Sequence, residues 1–127
     1  MLTLNLTTTV EAKKNSYKVG RGRLYRDAGA AESEKSIIRE LWAESRRQGA
    51  NKPLRGPVRV AIAFARTGHD LINKAETVLD ALQGGHKNHG LGLIIENDSQ
   101  VEHLTLSVMD PSEAAKGLTA IVSVSPL

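Results

Sequence analysis

Leu2, Leu4 and Leu6 alternate with Thr3, Asn5 and Thr7, which predicts a half-buried strand at the start of the chain. The stretch KKNSYKVGRGRLY then reads as a loop with Gly20 and Gly22 as turn residues. In AAESEKSIIRELWAESRRQG the apolar positions return at helical spacing. They predict a helix with Ile37, Ile38, Leu41 and Trp42 as its buried stripe and Gly49 as its stop. After the linker NKPLRGP comes the clearest strand, VRVAIAFAR. Val58, Val60, Ile62 and Phe64 point one way, and Arg59, Ala61, Ala63 and Ala65 the other.

The next helix, GHDLINKAETVLDALQGG, ends at Gly84-Gly85. At about 100° per residue, Ile72, Ala75, Leu79 and Leu82 form an apolar stripe with Val78 at its edge. Asp70, Asn73, Thr77 and Asp80 fall opposite. HKNHGLG reads as a loop, LIIENDSQ as a short strand running into a polar turn, and VEHLTLSV as a strand with Leu104, Leu106 and Val108 on one face. DPSEAAKG turns the chain, and LTAIVSVS is a last strand. The expected fold is α+β, a single domain over residues 1–127 with a mixed sheet and two helices.

Composition narrows the function classes. Four aromatic residues in all leave little room for a single-strand binder that stacks on several bases. The absence of cysteine removes disulfides and thiolate chemistry. The start lacks the basic-then-apolar pattern of a signal peptide, and the run VAIAFA is too short to cross a membrane, so a cytoplasmic protein is expected. The net charge is +3, but residues 1–27 concentrate it, with six basic side chains against Glu11 and Asp27. Such a basic end points to a polyanion partner or to a solvated loop.

Three aspartates are the candidate chemistry. Asp70 follows a strand and opens a helix, Asp80 stands ten residues on, and Asp98 lies in ENDSQ. If the strands before Asp70 and Asp98 are neighbours, their ends bring the two together with Asp80 beside them, and such carboxylates suit a hard divalent cation. Taken singly, each reads as structural before functional: a helix cap, a solvent-facing residue and a turn residue. His86 and His89 have an H-x-x-H spacing in a Gly-rich loop, which reads as solvated, and His69 adjoins Asp70 as a possible acid–base group or strand-end residue. No phosphate-binding Gly-rich loop or nucleophile elbow is present in the sequence.

HDLINKAETVLDALQGG followed by LIIENDSQVEHL resembles the RusA family of Holliday junction resolvases. The matching residues are Asp70, Asn73, Asp80-Ala81-Leu82 and Asp98-Ser99-Gln100-Val101. VRVAIAFAR resembles the family's central strand. Asn15, Arg21-Gly22-Arg23 and Tyr25 resemble its N-terminal loop. The resemblance implies a homodimeric endonuclease, dependent on Mg2+ (or Mn2+), that cuts branched DNA at four-way junctions by paired nicks, in recombination and repair, and is often prophage-encoded. It implies Asp70, Asp80 and Asp98 as catalytic metal ligands. Lys13, Lys14, Asn15, Lys18, Arg21 and Arg23 would contact DNA. Ile72 stands where the family has its second Asp, Glu76 where it has Lys, and Asn97 where it has the first Asp of a pair. Glu76, one turn beyond Ile72, is then the substitute metal ligand. Lys74, about 40° from Asp70 on the wheel, is the substitute catalytic cation. Alternatives are a DNA-binding protein on the same fold without turnover, and a structural or protein-interaction domain. LTAIVSVS, apolar on both faces, offers a dimer contact or a buried central strand; the alanine face of VRVAIAFAR is another candidate contact.

Overall fold

The computed structural model describes residues 1–11, 17–20, 23–26, 28–66, 71–85 and 92–127, without the side chains of 17–20, 23–26 and 28–31. Strand β1 (Leu2–Leu6) is followed by a hairpin of β2 (Tyr17–Gly20) and β3 (Arg23–Arg26). Helix α1 (Ala28–Arg47), strand β4 (Val58–Phe64) and helix α2 (Leu71–Leu82) follow. The chain ends with β5 (Val101–Val108), the short helix α3 (Pro111–Ala114) and β6 (Ala120–Pro126). The fold is α+β. The main sheet has the order β1-β6-β4-β5, with β4 and β5 parallel and the other neighbours antiparallel.

Alternation in β4 works as the sequence predicts. Val58, Val60, Ile62 and Phe64 are buried with Val122 and Val124 of β6 and Leu4 and Leu6 of β1. Ile37 and Leu41 of α1 and Ala75, Val78, Ala81 and Leu82 of α2 close the core over that sheet face. Trp42, expected in the α1 stripe, is instead 51% exposed. The stretch KKNSYKVGRGRLY is not wholly a loop, because Tyr17–Gly20 pairs with Arg23–Arg26. LIIE forms no strand. Ile94 N–H and Ile95 N–H both donate to Leu82 O, and Leu54 N–H donates to Ile94 O, so these groups are satisfied with only the isolated Leu54–Ile95 bridge.

The last strand, β6, lies between β1 and β4 and is therefore not available as an edge for a second subunit. The two true edges differ. Along β1, α1 supplies partners for the outward backbone groups. Glu44 accepts from Asn5 N–H at 3.3 Å, Glu40 accepts from Thr7 N–H at 2.9 Å and Thr8 N–H at 3.0 Å, and Gln48 donates to Thr3 O at 2.7 Å. Along β5, no described strand pairs with the outer side. Leu104 and Val108 there are 43% and 45% exposed. No described helix is long and apolar enough to cross a membrane.

Candidate acidic site at the end of the second helix

Helix α2 runs back along the β4–β5 pair. Leu71 opens it after the far end of β4, and Leu82 closes it beside Ile94 and Ile95, whose bridge to Leu54 marks the near end. Its last turn is closed by two glycines. Gly85 N–H donates to Asp80 O at 2.7 Å and Gly84 N–H to Ala81 O at 3.0 Å, the pairing of a Schellman cap. Both glycines have positive φ, 93° and 117°, which a side chain would strain. Asp80 therefore stands in the final turn, where the helix carries partial negative charge and no basic side chain of that turn offsets it.

Asp98 opens a single 3-10 turn, Asp98–Gln100, directly before β5. Asn97 caps it, its side-chain oxygen accepting from Ser99 N–H at 2.9 Å. The Gln100 carboxamide oxygen accepts from Glu96 N–H at 2.8 Å and Asn97 N–H at 2.9 Å. Its nitrogen donates to Leu54 O at 2.9 Å and Gly56 O at 2.8 Å, so one side chain fastens the turn to the approach to β4. Gln83, buried just past α2, accepts Asp98 N–H at 2.8 Å. The exposed Asp98 carboxylate is thus carried on a backbone fixed from two sides.

The rotation of α2 differs from the wheel drawn on apolar residues alone. Ala75, Thr77, Val78, Ala81 and Leu82 are buried, while Ile72 is 70% exposed. Thr77 tolerates burial because its hydroxyl donates to Glu11 O at 2.7 Å. Ile72 and Glu76 are therefore exposed, and Asp80, half-buried, follows them on the same side. Lys74 is half-buried on the arc of Val78 and Ala81, about 120° around the helix from Asp80; its expected neighbour Asp70 lies outside the described residues. Glu96 is engaged by Arg55 at 2.8 Å.

The fold brings Asp80 and Asp98 to the same end of α2. Leu71 lies at the opposite end, about 14 Å from Asp80 along the helix axis. No strand leads into Asp98, and it precedes rather than follows its strand, so neighbouring strand ends do not join Asp98 to the start of α2. Asp70, His69, His86, His89, Lys13, Lys14, Asn15 and Arg21 lie outside the described residues. The backbone register sets Lys18 opposite Tyr25 and Arg23 opposite Gly20. Among the described residues no three His, Cys, Asp or Glu form a metal-holding group. Sequence reasoning missed Gln83 and named Gln100 only within the Asp98-Ser99-Gln100-Val101 match, without its fastening role. For Gln100 the signal is present as Asn97-x-x-Gln100, a capping-box spacing. Neither a family model nor a curated protein matches this chain.

Proposed function

We propose that this chain is a RusA-like, Mg2+- or Mn2+-dependent endodeoxyribonuclease acting on branched DNA such as a four-way junction. The observation that carries the reading is the Gln83–Asp98 hydrogen bond. It joins the two stretches on which the resemblance rests, Asp80-Ala81-Leu82 and Asp98-Ser99-Gln100-Val101, into one unit. Asp80 and Asp98 would hold the ion, with Asp70 of a second copy as the third ligand that the resemblance implies; their hard oxygen donors suit Mg2+ better than zinc. Such an ion supplies positive charge at a phosphodiester under attack by water. The chain's own contribution is to fix Asp98 through Gln83 and Gln100 and to set Asp80 in the last turn of α2. Glu76, one turn before Asp80, is exposed on the same side but forms no three-residue metal-holding group with Asp80 and Asp98.

Paired nicks need two sites related by a two-fold axis. The surface that suits a second copy is the open edge of β5. Antiparallel pairing there would set the start of one β5, where Asp98 stands, beside the end of the other. That is the end of the sheet at which α2 begins.

A second reading, DNA binding without turnover, is favoured by Ile72 and Glu76, which supply neither the second Asp nor the Lys of the RusA pattern. Incubating a labelled four-way junction with the protein, with and without Mg2+ or Mn2+, separates the readings. Metal-dependent cleavage lost in Asp70→Asn and Asp98→Asn supports the nuclease. Binding without cleavage supports the second reading. Neither binding nor cleavage rejects both in favour of a structural domain.

A further inference from the structure

Helix α1 segregates its charges. Glu40 and Glu44 turn to the edge of β1, and Glu44 also holds Arg47 at 3.2 Å. The opposite, outward side carries Lys35, Arg39, Trp42 and Arg46, all exposed. Helical geometry sets these four within an arc of about 60° and along about 16 Å of axis. Glu32 shares this side and approaches Lys35 at 3.7 Å, a pair too exposed to neutralise the stripe.

Trp42 sits in the middle of the stripe. Its indole is 51% exposed, with the Arg46 guanidinium carbon 5.2 Å from the ring centroid. The core closes without it, since Ile37 and Leu41 are fully buried. A large ring with a polar N–H, held in water beside cations, has the character of an interface anchor.

We infer that this outward face of α1 docks on the sugar–phosphate backbone of DNA. Lys35, Arg39 and Arg46 pair with phosphates, and Trp42 packs on a sugar or an unstacked base. Over the length of the stripe one DNA strand presents about five phosphates, ample for three cations. A bilayer fits less well, because the apolar side of α1 is already buried against the sheet and none is left to insert. The inference rests on the nucleic-acid part of the proposed function and not on cleavage.

Trp42 is the only tryptophan in the chain, so its emission reports this face alone. The whole protein is titrated with a fluorescein-labelled four-way junction and with a duplex of the same arm sequence, following both anisotropy and tryptophan emission. The expected result is an emission change that saturates with the anisotropy for at least one of the two DNAs. In Arg39→Gln/Arg46→Gln the plot of log affinity against log salt becomes shallower by about two units. Trp42→Leu weakens binding and leaves that slope unchanged. If the DNA binds but neither emission nor slope responds, the inference is overturned and the proposed function stands. If no DNA binds, both fall. An emission shift on phosphatidylserine vesicles with none on DNA assigns the face to membranes and overturns the inference.

Discussion

The Gln83 carboxamide oxygen accepts the backbone N–H of Asp98 at 2.8 Å, tying the end of α2 to the turn that opens β5. Gln83→Leu removes that acceptor from a buried position. Stability should fall by about 1–3 kcal/mol. Gln83→Glu keeps an oxygen in reach but sets a buried carboxylate against Gly85 O in the negative field at the end of α2, so it should not recover the loss. Asp98→Asn, at an exposed side chain, should stay within about 0.5 kcal/mol of wild type. Urea unfolding of the three variants checks the order.

Glu40 makes the edge of β1 sensitive to acid. Burial works to raise its pKa, but hydrogen bonds from Thr7 and Thr8 outweigh it and hold the carboxyl below its ordinary range. A lowered folded-state pKa means that the stabilisation is complete above the unfolded value. It disappears as pH falls through the folded one. Unfolding midpoints of wild type should therefore drop on acidification below about pH 4.3. Glu40→Gln should start lower at neutral pH and show a flatter acid limb. Parallel acid limbs for the two proteins would contradict this.

Ile72 occupies the position of the second Asp in the RusA pattern, yet it is 70% exposed. Ile72→Asp therefore removes no core packing and should change stability by no more than about 0.5 kcal/mol, where a buried isoleucine truncated to Ala would cost about 2–5. Under the nuclease reading the added carboxylate should raise cleavage at limiting Mg2+. A large loss of stability would show that the outward rotation of α2 is wrong.

The open edge of β5 gives the assembly a definite test. Leu104 is partly exposed, and β5 carries neither Lys nor Pro to discourage pairing. Sedimentation at micromolar concentration should show a dimer for wild type and a monomer for Leu104→Lys, with little change in melting. A wild-type monomer would remove the two-fold arrangement on which paired nicks depend.

What the sequence discloses is periodicity, and what it hides is rotation and partners. Strand β4 is legible because Val58, Val60, Ile62 and Phe64 alternate with small or charged residues, and the core follows that alternation. Trp42 and Ile72 are misread for a common reason. Helical spacing fixes which residues share a face, but the face that turns inward depends on polar residues finding partners. Thr77 finds Glu11 O, and the buried arc shifts towards it. LIIE looks like a strand because it is apolar, but its buried N–H groups are taken by Leu82 O. Of the candidate site, the pairing of Asp80 with the Asp98 turn is legible only as two stretches of a resemblance. The two glutamines that fasten the site act over 15 and 46 residues, beyond any local pattern.

The side chains of Glu40, Glu44 and Gln48 occupy the hydrogen-bonding groups at one margin of the sheet and leave the other margin open. A sheet with two open margins can add strands at both and grow into a fibre. This one has a built-in end-stop. Any strand-to-strand association through β5 uses the one margin of the four-stranded sheet left open among the described strands, so two such sheets join edge to edge and a third finds no margin of this sheet to attach to.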